Sequence, residues 1–128
     1  MTNKYQELKK IINNAYAPYS KFKVAAIVET DKGDFYGVNV ENASFPISMC
    51  AERNAIYSAV AHGAKKFKSV YLLSSSLATN VTPCGACRQV INEFFAPDAK
   101  IYVYSKDGKV KTYSVQELLP YGFKLKGK

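Results

Sequence analysis

Two short segments hold every cysteine of this chain, and they constrain its fold more than any other feature. One reads Cys50-Ala51-Glu52-Arg53, and the other reads Pro83-Cys84-Gly85-Ala86-Cys87-Arg88-Gln89. A Cys-x-x-Cys spacing lets one loop place two sulfurs on one metal ion. Thiolates bind zinc at about 2.3 Å, so sulfurs on one ion lie roughly 4 Å apart. A fold that uses all three must carry Cys50 from its own element to the Cys84/Cys87 pair. Both segments stand where helices are expected to start, and there the dipole and free N–H groups favour a thiolate.

Three cysteines is an odd number, and the first residues carry no apolar signal-peptide core. No apolar run approaches the roughly 18 residues of a membrane span. The expected setting is therefore a reducing cytoplasm without membrane contact, with the thiols used for metal or chemistry. The 128 residues suit one domain, 1–128.

Thr2 is the expected cap of a first helix running to about Tyr16, with Tyr5, Leu8, Ile12, Ala15 and Tyr16 on its apolar stripe. Phe22 to Thr30 reads as a strand buried on both faces. The turn Asp31-Lys32-Gly33-Asp34 should return it as a hairpin over Phe35 to Glu41. A second helix is expected from Cys50 to His62, closed by Gly63. Lys68 to Ser74 is the third strand. The third helix spans Gly85 to Phe95 and buries Cys87, Val90, Ile91, Phe94 and Phe95, with Pro97 as its stop. Strands follow at Lys100 to Tyr104 and Val110 to Tyr113. Ser114 and Glu117 then form a capping-box pattern. This order describes a three-layer α/β/α domain around a mixed, roughly five-stranded sheet.

A structural zinc would need a fourth ligand. The only histidine, His62, lies about 18 Å from Cys50 along the same expected helix. Three protein ligands leave one open position, which is the catalytic pattern. Alone, Cys50 would read as a small buried hydrophobe, and Glu52 as a first-turn acid complementing the dipole. Together with the cysteine pair, they read as a ligand and a proton carrier beside a zinc-activated water.

These segments resemble the cytidine deaminases, in particular the small, three-cysteine, homotetrameric branch. The likeness extends to Ala17-Pro18-Tyr19-Ser20-Lys21-Phe22, Asn39-Val40-Glu41-Asn42-Ala43-Ser44 and Glu117-Leu118-Leu119-Pro120. Ala25-Ala26 departs from the family's usual Gly-Ala, and the tail is rich in lysine. The resemblance implies one Zn²⁺ per chain on Cys50, Cys84 and Cys87. It implies conversion of cytidine and 2′-deoxycytidine to uridine and 2′-deoxyuridine, as in pyrimidine salvage. Zinc-bound hydroxide would attack C4 while Glu52 carries protons to N3 and to the departing amine. It further places Asn39 and Glu41 on the ribose, Phe22 against the base, Ala51 among the substrate-binding residues, and Phe123 in a neighbouring subunit's site. Independently of the resemblance, Asn39 and Glu41 would share one face of a strand, as positions i and i+2 do. A solvent-facing edge and an ordinary core phenylalanine are the plain alternatives for Asn39/Glu41 and Phe22.

Arg53 is three residues from Cys50 on one helix face. Its guanidinium is expected to offset the surplus negative charge of three thiolates on Zn²⁺. The net charge of +8 invites a nucleic-acid reading. Its lysines are dispersed, however: Lys4, Lys9 and Lys10, then Lys65, Lys66 and Lys68, then Lys124, Lys126 and Lys128. Dispersed lysines suit a solvated face, so no nucleic-acid partner is expected. A relative acting on another aminopyrimidine, such as blasticidin S, and a non-enzymatic zinc module are the remaining alternatives.

Overall fold

The computed structural model describes residues 3–76, 81–125 and 127. A single mixed sheet has the order β2-β1-β3-β4-β5. Its strands are β1 (Val24–Thr30), β2 (Gly33–Val38), β3 (Phe67–Ser74), β4 (Phe95–Tyr104) and β5 (Val110–Ser114). β3 and β4 pair in parallel, and the other neighbouring strands of the sheet pair antiparallel. Helix α1 (Lys4–Ile11) covers one face, while α2 (Ala51–Ala61), α3 (Gly85–Phe94) and the single turn α4 (Val115–Leu118) cover the other. This is the three-layer architecture the segment order implies.

Alternation along β1 builds both cores, because successive side chains point to opposite faces. Ala25 and Ile27 join Leu8 and Leu73 under α1. Ala26 and Val28 join Ala51, Ala55, Ile56, Val70 and Ile91 beneath α2 and α3. Small residues set how closely α2 approaches. Gly37 pairs with Ala26, and a Cβ built on Gly37 would lie 2.3 Å from the Ala51 carbonyl oxygen. Glycine is the residue that permits this contact.

Several boundaries differ from the sequence reading. Thr2 lies outside the described residues, and Asn3 caps α1 by accepting from Gln6 N–H at 2.8 Å. The helix ends at Ile11 rather than near Tyr16 and tightens into a 3₁₀ turn over Ile12–Asn14. Asn13 and Asn14 are weak helix formers. Ala15 is extended, and Tyr16 bridges Val40 instead of continuing a helical stripe. β2 stops at Val38 rather than reaching Glu41. Phe95 leaves α3 and opens β4 with φ −107° and ψ 153°, so that strand starts five residues earlier than Lys100. Pairing with Phe67 and near-complete burial there outweigh one more helical residue. The capping box on α4 is present: Ser114 N–H donates to Glu117 Oε1 and Glu117 N–H to Ser114 Oγ. Lys126 and Lys128 lie outside the described residues, and no helix among the described residues is long and apolar enough to cross a membrane.

Candidate active site

Cys50 is the N-cap of α2 and Cys84 the N-cap of α3. Neither side chain makes a capping hydrogen bond, so both sulfurs remain available to one another. Cys87 sits in the first turn of α3 and is buried, while Cys84 is exposed. The three Sγ atoms lie within 4.8 Å of one another, and Cys50 Sγ is 3.8 Å from Cys84 Sγ.

That spacing is what three ligands at about 2.3 Å from one zinc require. The electrostatics point the same way. The Cys50 thiol is drawn down to about 5, first by its hydrogen bond with Cys87 and then by Arg53 and Cys84. The Cys87 thiol is pushed up by the same contact and by burial. Three adjacent thiols cannot all ionise without a cation between them, because like charges oppose ionisation. The donor set therefore fits Zn²⁺. His62 is not part of it: its ring Nδ1 lies 2.8 Å from Ser58 O at the C-terminal end of α2, beside Phe35.

Arg53 Nη2 donates to Cys50 Sγ at 3.3 Å, as the helical spacing predicts. Its Nε is buried without an acceptor. The Cys50 sulfur, and after it Cys87, raises the guanidinium pKa further. Glu52 is buried in the first turn of α2. Burial pushes its carboxyl up to about 7, the Cys50 charge adds to the rise, and its own backbone N–H and Arg53 pull the other way.

A cavity of about 210 Å³ opens on this cluster, and its walls include Phe22, Asn39, Cys50, Ala51, Glu52 and Cys84. It is smaller than the roughly 300–1,000 Å³ of most ligand sites and suits one small heterocycle. Asn39 directly follows the last residue of β2. Its side chain closes the end of the hairpin, accepting from Val24 N–H at 2.8 Å and donating to Phe22 O at 2.7 Å. Glu41 is in a neighbouring cleft with Tyr19, Ser20 and Phe45. It accepts from the N–H groups of Tyr19 and Ser20 and from the Ser20 hydroxyl, which holds its carboxyl below the usual range. β2 has ended before Asn39, yet Val40 stays extended, bridging Tyr16 on one side and Met49 on the other, and the side chains of Asn39 and Glu41 both bond the Tyr19–Val24 segment. Phe123 is 64% exposed and does not line this chain's cavity. Its carbonyl accepts from Asn92 Nδ2 at 3.1 Å and, more weakly, from Gln89 Nε2.

Three positioning residues had no assigned role in the sequence reading. Arg88 binds Thr82 Oγ1, Pro83 O and Leu118 O, which fixes the loop entering Cys84. Asn54 donates to Val38 O and locks α2 to the end of β2. Asn92 is buried and holds the tail at Phe123. The one available signal was polarity on helix faces that otherwise pack.

Fold and site together define a zinc-dependent hydrolase of the deaminase type. A family model described as the cytidine and deoxycytidylate deaminase zinc-binding region matches residues 2–104. A cytidine deaminase of Mycoplasma genitalium is 40% identical over 119 residues, covering 93% of this chain and 92% of that protein. The crystal structure of cytidine deaminase from Burkholderia pseudomallei superposes with a TM-score of 0.87 at 39% identity, covering 96% of this chain and 100% of that one. A blasticidin-S deaminase of Bacillus cereus is 30% identical, covering 79% of this chain and 76% of that protein. The chain belongs to the cytidine and deoxycytidylate deaminase family.

Proposed function

We propose that the protein hydrolyses cytidine and 2′-deoxycytidine to uridine and 2′-deoxyuridine with release of ammonia, as one catalytic domain of pyrimidine salvage in the cytoplasm. The observation that carries this reading is the convergence of Cys50, Cys84 and Cys87 beside Glu52 in one small cavity. Cys50, Cys84 and Cys87 would hold the zinc, which would supply Lewis acidity toward water. Glu52 takes one proton from the water and passes it to ring N3 as the oxygen bonds C4, then carries the second proton of that oxygen to the amino nitrogen, which leaves as ammonia when the C4–N bond breaks. Phe22 and Ala51 flank the base. Asn39 and Glu41 position the sugar, and the two hydrogen bonds of Asn39 to the Phe22–Val24 segment keep that wall in place. Zinc content measured together with deamination of free cytidine tests the reading. A zinc-loaded chain inert toward cytidine, but active on blasticidin S or on an oligonucleotide, would overturn it.

Arg53 offsets the negative charge of the thiolates. Its support is the 3.3 Å bond to Cys50 and the buried, unpartnered Nε. Arg53→Ala should lose roughly 10–100-fold in zinc affinity or turnover, the usual cost of losing a partner that orients a metal ligand. Arg53→Gln should fall between, keeping donors without charge. Wild-type zinc content and turnover in both variants would count against the role.

The active unit is a homotetramer with shared sites. Phe123 stands outside this chain's own cavity, and Phe45, Ile47, Phe123 and Leu125 expose apolar surface, which supports a neighbouring copy as their partner. Phe123→Ala should lower nucleoside affinity or disrupt assembly. Mixing it with a chain inactivated at Glu52 should restore activity in re-formed oligomers, since some sites then combine an intact Glu52 with an intact Phe123. No recovery after proven subunit exchange would refute the sharing.

A further inference from the structure

A second cavity, of about 360 Å³, lies behind the catalytic one on the α1 face of the sheet. α1 contributes Tyr5 and Lys9, the following 3₁₀ turn Ile12 and Asn13, and the β4–β5 turn Lys106. Lys23 and Leu73–Ser75 complete it. It sits beyond the C-terminal ends of β3 and β4, the parallel pair, and open α/β sheets bind ligands at such ends.

Its chemistry is one-sided. Lys9, Lys23 and Lys106 line it, and among the described residues no carboxylate does. The ion pairs among the described residues are Lys4–Asp34 and Lys109–Asp107, so none of these three lysines is paired. Asp107, the acid nearest in sequence to Lys106, is turned to the Ser105 hydroxyl and to Lys109. The wall is also built rather than loose. Tyr5 donates its hydroxyl to Lys106 O at 2.8 Å, stacks on Tyr104, and carries the Lys9 ammonium 5.3 Å from its ring centroid. Ile12, Leu73 and the Tyr5 ring add an apolar floor. Three unpaired cations beside an apolar and aromatic surface call for an anion attached to an apolar body.

We propose that this cavity binds a small phosphomonoester with an aromatic or apolar body, its phosphate held by Lys9, Lys23 and Lys106. The cavity also touches the catalytic site through the chain. Leu73 and Ser74 line both cavities, and Phe22 and Val24, on either side of Lys23, line the catalytic one. Lys23 N–H donates to Ser75 Oγ at 2.9 Å, and Ser75 N–H donates to Lys23 O at 2.8 Å. A ligand gripping Lys23 therefore holds the wall that carries Phe22 and changes KM for the nucleoside. It leaves kcat alone, because Glu52 and the cysteines come from α2, α3 and their N-caps.

Equilibrium dialysis of the zinc-loaded full chain with phenyl phosphate at low salt tests the site without using turnover. This separates its failure from failure of the proposed reaction. Phenyl phosphate should saturate at one per chain and bind more tightly than inorganic phosphate or phenol. It should weaken with added salt and stay bound in saturating uridine. The triple variant Lys9→Gln, Lys23→Gln, Lys106→Gln should bind at least about tenfold more weakly, since charge-assisted hydrogen bonds are lost. The double variant Lys9→Gln, Lys106→Gln should turn over cytidine unchanged when no phosphate is added. If the triple variant does not fold, each single variant should show a graded loss. Absence of saturation, full displacement by uridine, equal affinity for inorganic phosphate, or wild-type affinity in the lysine variants would overturn the proposal.

Discussion

Glu52→Gln should keep its zinc and still bind nucleoside, yet lose ~10²–10⁴ in turnover, the range for a positioned acid/base group. The three thiols that fit the metal do not include Glu52, so removing its charge leaves the donor set intact. The carboxyl lines the catalytic cavity from the first turn of α2 and is 5% exposed, so bulk water is poorly placed to replace it. Glutamine preserves shape and one acceptor but cannot carry a proton at any accessible pH. Loss is therefore expected in kcat, with KM close to unchanged. Metal analysis, nucleoside binding and steady-state rates on the same preparation decide it. A variant that sheds zinc would make Glu52 a structural support for the site. One that turns over normally would assign the proton transfers to another group.

Gly37→Ala should be the most damaging one-carbon change in the fold. Its added Cβ would lie 2.3 Å from Ala51 O, 2.6 Å from Ala55 N and 3.2 Å from Ala55 Cα. These are backbone atoms of α2, so no flexible side-chain tip can swing aside. Overpacking usually costs 1–3 kcal/mol, and about 3 kcal/mol is expected here because the helix itself must move. That is a large share of the roughly 5–15 kcal/mol that holds a domain folded. Moving α2 also moves Cys50, its N-cap, away from Cys84, so zinc retention and turnover should fall together. Urea midpoints and zinc content of the variant provide the check. Wild-type values for both would mean that α2 and β2 tolerate a wider separation than the structure gives them.

The motif residues were legible because their chemistry is local. A Cys-x-x-Cys pair and a Cys-x-Glu triplet carry their ligand and acid types in the spacing itself, and the helix starts beneath them were readable from the following residues. Arg53 was legible for the same reason: three residues on a helix is a distance, and the Cys50 contact follows from it. The alternation of β1 and the capping box at Ser114 and Glu117 were also local.

Reading failed where a local preference competed with a distant partner. Phe95 follows a helical pattern, yet its pairing with Phe67 draws it into β4. Asn39 and Glu41 alternate like strand residues, yet β2 stops at Val38, because Val40 leaves the hairpin to bridge Tyr16 and Met49. The need for glycine at position 37 was invisible in the same way, since it exists only because α2 crosses there.

The sequence by itself determined the donor set, the acid beside it and the order of elements, because each depends on residues near one another in the chain. Tertiary structure alone decided that the three sulfurs share one point. It also decided that Arg88 and Asn54 brace them and that Lys9, Lys23 and Lys106 line one cavity. Those juxtapositions join segments far apart in sequence. They are set by which helix packs on which face of the sheet, a choice made by the buried apolar faces of the whole fold rather than by any one segment.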